Sequence, residues 1–193
     1  MALTLAIVSY LLGSIPTGYL LGALAGVDVR KTGSGNIGAT NVARTVGKGR
    51  GVATLLADAG KGFIPAYVAA HLGLAQSAVA IIGAAAFLGH LYPIFLKFQG
   101  GKGVATALGV LLALAPLVAV ISIVVFAVVI FIRRIVSLSS IAAALAAPIS
   151  LWLLSYPATY TVLATFLAAM IILRHCGNIQ RLLAGTEPRM GFR

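Results

Sequence analysis

The chain has 193 residues, of which 61% are hydrophobic and only 9% charged, and its mean hydropathy is +1.08. A soluble domain carries about 25% charged residues, so this composition excludes one and points to lipid as the solvent. The 14 Lys and Arg against 3 Asp and Glu give a net charge of +11, which in a membrane protein marks one basic face and not a nucleic-acid partner. Cys176 is the only cysteine, which excludes an internal disulfide and a cysteine-rich metal site.

The 17 charged residues are confined to a few places. Met1 to Val27 has none, enough for one helical span of about 20 apolar residues. Ala23-Leu24-Ala25 resembles a signal-peptide cleavage site, but there is no basic n-region. Gly18, Gly22 and Gly26 read better as a small-residue stripe for helix packing, and Pro16 predicts a kink. The second stretch, from near Val52 to Leu96, holds two spans broken between His71 and Ser77. Gly103 to Ile132 is either one tilted span or two short ones turning at Pro116. A single span would put Arg133/Arg134 and the basic tail, which runs from Arg174 to Arg193, on opposite sides; a hairpin puts every Lys and Arg on one side. The positive-inside rule selects the hairpin. Val104 to Ala115, about 18 Å at ~1.5 Å per residue, is then a short, partly embedded helix. Ile135 to Leu173 breaks at Ser155-Tyr156-Pro157 into two more spans. The expected fold is an all-α integral membrane protein of seven transmembrane helices, some short. Its N-terminus is outside, its C-terminus cytoplasmic, and residues 1–193 form one domain.

The polar chemistry falls on one side. The first inner loop, Arg30-Lys31-Thr32-Gly33-Ser34-Gly35-Asn36-Ile37-Gly38-Ala39-Thr40-Asn41-Val42-Ala43-Arg44, contains a literal G-x-G-x-x-G. It follows a membrane helix and not a strand, so it is not a dinucleotide fingerprint. Glycines still let backbone amides converge on an oxyanion, with donors from Ser34 and Asn36 and charge from Arg30, Lys31 and Arg44. The plainer alternative is a flexible tether whose cations touch lipid headgroups. Gly100-Gly101-Lys102-Gly103 opens the short helix at Val104; it is not a Walker A, because Leu96 and Gly103 stand at its ends. It is either a phosphate cradle at a helix N-terminus or a tight turn with an interfacial lysine. His90, in Gly89-His90-Leu91-Tyr92-Pro93, lies within a span and is a functional candidate or a satisfied interhelical hydrogen bond. Asp58 and Lys61, three apart, can pair on one helix face, with Lys61 either structural or facing a phosphate.

The tail offers His175, Cys176 and Asn178, but adjacent residues point apart on a helix, which disfavours a Cys–His–Asn nucleophile. Glu187 reads as a structural salt-bridge partner, and His71 as an interfacial residue. Three acids and three histidines scattered along the chain predict no metal site.

Ser34-Gly35-Asn36-Ile37-Gly38-Ala39-Thr40-Asn41 resembles the first signature of the bacterial PlsY family. Gly89-His90 through Pro93, Phe95, Phe98 and Gly100-Gly101-Lys102-Gly103-Val104-Ala105-Thr106 resemble the second, and His175, Asn178 and Glu187 the third. Asp58 to Gly62 is similar to the family's second span. The resemblance implies a seven-span acyltransferase of the bacterial cytoplasmic (inner) membrane with its active site on the cytoplasmic face. It would move an acyl chain from acyl phosphate to the 1-hydroxyl of glycerol 3-phosphate, giving lysophosphatidic acid and phosphate, the first step of phospholipid synthesis. Catalytic roles would fall to Ser34, Lys102, His90 and His175. Substrate binding would fall to Gly33, Gly35, Asn36, Thr40, Asn41, Arg44, Lys61, Gly100, Gly101, Gly103, Thr106 and Asn178, with Asp58 and Glu187 structural. No cofactor, nucleic acid or obligate protein partner is implied; the partners are the two substrates and membrane lipid. Two phosphorylated substrates fit two basic glycine-rich loops. The hydroxyl proton would go to His90, His175 or the donor's phosphate.

Two other classes compete. A transporter of phosphorylated solutes would place polar sites near the bilayer midplane, often with internal repeats, neither of which the chain shows. A non-catalytic scaffold has no use for two phosphate-type loops.

Overall fold

The computed structural model describes residues 1–190, and Arg193 of the basic tail lies outside them. Among the described residues there is no strand. Ten helices run α1 (Ala2–Ser14), α2 (Thr17–Ala23), α3 (Ala39–Thr45), α4 (Lys48–His71), α5 (Gln76–Leu91), α6 (Val104–Leu114), α7 (Pro116–Arg133), α8 (Val136–Leu153), α9 (Ala158–Arg174) and α10 (Cys176–Leu183), with a 3₁₀ turn at Ile94–Leu96. Ala2–Ala23, Gln76–Leu96, Pro116–Arg133 and Val136–Leu153 are long and apolar enough to cross a membrane. The pair α9–α10, bent by 62°, makes up to five. This is an all-helical integral membrane protein.

Most breaks fall where the sequence places them. Pro16 separates α1 from α2. The α4–α5 break lies between His71 and Gln76, and the α8–α9 break between Leu153 and Ala158. Pro116 is the first residue of α7, where its missing N–H costs no helical bond. α6 has 11 residues, about 16 Å at ~1.5 Å each, too short to cross ~30 Å alone. α4 begins at Lys48, four residues earlier than Val52, so Lys48 and Arg50 ride on the helix.

The chain divides into two compact units, Met1–Ala113 and the residues from Leu114 on. In the first, α5 packs on α1 and α4, and α3 packs on α4. Glycines set these approaches. A Cβ at Gly13 would run into the Ala86 carbonyl, one at Gly89 into the Tyr10 carbonyl, and one at Gly62 into the Thr106 carbonyl. The expected glycine stripe is only partly a packing face. Gly18 abuts the Ile37 carbonyl of the loop and Val42 of α3, and Gly22 abuts Val27 and Val29 of the loop. Gly26 touches nothing and serves the turn after α2, with φ +72°. In the second unit α8 packs between α7 and α9.

Candidate functional site

The loop between α2 and α3 is a built turn and not a tether. Arg30 forks onto Asp28, donating from Nε to Oδ1 at 2.9 Å and from Nη2 to Oδ2 at 2.8 Å, and its guanidinium lies 4.4 Å from the Tyr19 ring centroid. The hydrogen bond from Arg30 holds the Asp28 carboxyl down at about 2, and the same bond raises Arg30 further above its ordinary value. Beyond it, Gly33 (φ +61°) and Gly35 (φ +71°) adopt the left-handed region. A Cβ at Gly33 would collide with Oδ1 of Asn41.

Asn41, 2% exposed, holds the turn shut. Its Nδ2 donates to the carbonyls of Val29 (2.9 Å) and Thr32 (3.1 Å), and its Oδ1 accepts from the Ser34 amide (2.8 Å). Asn36 Oδ1 accepts from the Gly38 amide at 2.8 Å, and the Gly35 amide donates to the Thr32 carbonyl. The backbone donors expected to cradle an anion are therefore largely engaged inside the turn. What this turn presents outward is the Ser34 side chain, with Thr40 and Arg44 exposed on α3.

The second glycine loop clasps the end of α5. Lys97 (φ 50°) and Phe98 (φ 62°) reverse the chain after the 3₁₀ turn. The amides of Gly100 and Gly101 then donate to the carbonyls of Leu91 and His90, each at 3.1 Å. A Cβ at Gly100 would meet the His90 carbonyl, and one at Gly101 would meet Nε2 of the His90 ring. Gly103, with φ +81°, abuts Phe87 and Leu91. These glycines are required by close packing, and Lys102, partly exposed, is carried at the N-terminus of α6. The first-turn amides of a helix have no intrahelical acceptor, so they and the helix dipole favour an anion there. Thr106 is fully buried, with a hydroxyl that has no hydrogen-bond partner among the described residues. It sits where α6 crosses Gly62 of α4.

Beneath this loop lies a buried ionic cluster. Asp58 and Lys61 pair at 2.7 Å with side chains only 3% and 6% exposed. Lys61 Nζ also donates to the carbonyl of Ile15, at the break that Pro16 imposes between α1 and α2. His90 Nδ1 approaches Asp58 Oδ1 at 3.7 Å. Of the two roles open to Lys61, this geometry supplies the structural one. Ile15 was not readable as its partner, since a backbone acceptor has no residue signature. Tyr10 on α1, also not singled out, donates from its hydroxyl to the Tyr92 carbonyl at 2.8 Å.

In the second unit, Glu187 gathers the third group. Its Oε1 accepts from Ser137 (2.7 Å) and from Asn178 Nδ2 (2.6 Å), and its Oε2 from Arg181 Nε (2.7 Å). Burial pushes this carboxyl up, and the three hydrogen bonds outweigh it, holding it below the usual carboxylate value. The Met190 amide donates to the Arg134 carbonyl, so the tail is strapped at two points, to the α7–α8 turn at Arg134 and to α8 at Ser137. Ser137 is a partner that the sequence hid, being one of several serines in α8. His175, 2% exposed, places Nδ1 against the Ile171 carbonyl at 2.8 Å, whereas Cys176 is exposed. Adjacent and divergent, they form no nucleophile–base pair. His71 is exposed and stacks on Tyr67 with ring centroids 5.2 Å apart. No group of three His, Cys, Asp or Glu among the described residues could hold a metal.

Two glycine turns, one exposing Ser34 and the other carrying the partly exposed Lys102, sit on an apolar helical frame of a membrane protein. The glycerol-3-phosphate acyltransferase family matches residues 3–185, and the chain belongs to it. Curated relatives named glycerol-3-phosphate acyltransferase include one from Geobacter metallireducens, 54% identical over 94% of this chain and 93% of its own. Another, from Geotalea daltonii, is 49% identical over 96% and 95%. Two crystal structures of PlsY, an integral membrane glycerol 3-phosphate acyltransferase, are similar. The glycerol 3-phosphate form has a TM-score of 0.96 at 48% identity, covering 98% of this chain and 96% of that one. The lysophosphatidic acid form has a TM-score of 0.93 at 47% identity, covering 98% and 95%.

Proposed function

We propose that this protein transfers an acyl chain from acyl phosphate to the 1-hydroxyl of glycerol 3-phosphate, releasing phosphate and lysophosphatidic acid. The observation that carries the reading is the likeness along almost the whole chain to an acyltransferase crystallised in a glycerol 3-phosphate form. In the reaction the hydroxyl oxygen bonds to the acyl carbon, the bond from that carbon to the bridging oxygen breaks, and phosphate departs with that oxygen and the hydroxyl proton. An acyl phosphate is already activated, so the protein's work is alignment and charge stabilisation.

In this proposal Lys102 and the amides at the N-terminus of α6 hold the glycerol 3-phosphate. Ser34, with Thr40 and Arg44, holds the acyl phosphate and stabilises the oxyanion. The proton leaves with the departing phosphate, because His90 and His175 are both buried, at 5% and 2% exposure. The roles that the resemblance gives to His175 and Asn178 are kept as expectations, tested by their alanine variants.

The proposal includes seven crossings of the bacterial inner membrane, N-terminus outside, with the site on the cytoplasmic face. It rests on the absence of Lys and Arg from the turns at residues 71–77, at Pro116 and at residues 155–157, which alternate with the basic ones. A membrane-impermeant label at Arg133/Arg134 should react from the cytoplasmic side and one beside Pro116 from outside; the reverse at Arg133/Arg134 removes the seven-span topology. No metal is required, so transfer should survive strong chelation. The function is tested with purified protein in lipid, offered acyl phosphate or acyl-CoA with labelled glycerol 3-phosphate. Acyl phosphate should support product formation and acyl-CoA should not.

A further inference from the structure

Four elements of the first unit meet at Asp58. Its carboxylate lies on α4, 3% exposed, 2.7 Å from the ammonium of Lys61 and 3.7 Å from Nδ1 of His90 on α5. Lys61 reaches on to the Ile15 carbonyl at the α1–α2 break. On its far side the His90 ring lies against Gly101, so closely that Nε2 occupies the place a Cβ would need. The His90 and Leu91 carbonyls meanwhile accept the amides of Gly101 and Gly100. The Gly100–Gly103 loop is thus seated both on the backbone end of α5 and on the face of one imidazole.

Such a cluster is costly to bury. Each ion taken from water loses several kcal/mol, and a buried pair is seldom worth more to stability than apolar residues of the same size. Apolar side chains would hold α4 against α5 equally well. What they cannot supply is a fixed direction for the imidazole, which a carboxylate facing Nδ1 does supply. The 3.7 Å separation is too long for a hydrogen bond, so the constraint is electrostatic and steric.

We infer that Asp58 is a positioning residue for the substrate loop: with Lys61 it fixes the orientation of His90, and His90 in turn fixes Gly101 and the Lys102 that follows. The inference rests on the proposed function in taking that loop as the holder of the glycerol 3-phosphate phosphate. Neither Asp58 nor His90 touches substrate in this scheme. Both act by keeping Lys102 and the N-terminus of α6 in one arrangement, and loosening a binding loop weakens binding before it weakens chemistry.

The test is a double-mutant cycle of Asp58→Asn and His90→Gln on the full-length enzyme in lipid, with kcat and KM measured for each substrate and Tm measured alongside. Each single variant should raise the KM for glycerol 3-phosphate by about tenfold, with the KM for acyl phosphate changed by less than about twofold. The double variant should be no worse than the worse single one, because both changes cut the same chain of contacts. Effects that multiply to about a hundredfold would overturn the inference, as would equal changes in both KM values or losses that merely follow Tm. If Asp58→Asn fails to fold because Lys61 is left unpaired, His90→Gln decides alone. It leaves the Asp58–Lys61 pair intact, and an unchanged KM for glycerol 3-phosphate would refute the scheme. Absence of transfer by the unaltered enzyme would be a failure of the proposed function itself, visible before any variant is made.

Discussion

Replacing Asn41 by alanine isolates the physical basis of the first turn. The side chain is buried and makes three hydrogen bonds, at 2.8, 2.9 and 3.1 Å, to Ser34, Val29 and Thr32. Each is worth about 1 kcal/mol net, so truncation should cost the closed turn about 3 kcal/mol. At 1.4 kcal/mol per decade, local opening becomes about a hundredfold more frequent. Hydrogen exchange reads this directly, since the Ser34 amide is one of the three lost partners. Its exchange should accelerate by about a hundredfold while amides in the middle of α5 change little. Acyl transfer should fall by about tenfold or more as Ser34 loses its fixed place. Unchanged protection at Ser34, or equal acceleration throughout the unit, would show that the turn is held by something other than Asn41.

Three further outcomes follow from single contacts. Gly109→Ala should destabilise the protein by about 1–3 kcal/mol, because its Cβ would enter the Ala59 carbonyl on α4, whereas Gly60→Ala, with only the tip of Ile64 nearby, should gain about 0.5–1 kcal/mol; their Tm values should move in opposite directions. Glu187 has a folded pKa below its ordinary 4.5, so its contribution is full above that pH and is lost as pH falls through the folded value; in Glu187→Gln, Tm should be lower at neutral pH and its drop below pH 4.5 shallower than in the parent. Cys176→Ala should keep most activity, and enzyme given acyl phosphate without acceptor should show no acylated peptide by mass spectrometry, since no base is placed beside Cys176; an acyl-Ser34 or acyl-Cys176 that chases into product would defeat direct transfer.

Most breakpoints were legible because charge and proline mark them, whereas against the seven spans expected four helices are long and apolar enough to cross, or five with the bent α9–α10 pair. Pro16 and Pro116 stand at breaks, and the uncharged runs end where helices end. α3 was not legible: Ala39–Thr45 reads as loop because seven residues carry no usable period. The polar positions were found, but their directions were not. Asn41 and Asn36 sit in the same short run as Ser34, yet the two asparagines brace the backbone while Ser34 is exposed. Composition cannot separate those roles, because each depends on the φ values of Gly33 and Gly35 and on where α3 starts. Gly100 and Gly101 show the same limit. A glycine required for anion approach and one required for packing against an imidazole look identical in sequence. The pairing of Asp58 with Lys61 was readable from an i, i+3 spacing, but the arrival of His90 and the Ile15 carbonyl needed the tertiary fold.

The most direct measurement of the central claim is product stoichiometry from purified protein in lipid nanodiscs, supplied with acyl phosphate and labelled glycerol 3-phosphate. The account predicts one lysophosphatidic acid and one inorganic phosphate for each acyl phosphate consumed, with no added metal and with little turnover when acyl-CoA replaces the donor. Phosphate release without lysophosphatidic acid, or equal turnover with acyl-CoA, would contradict it.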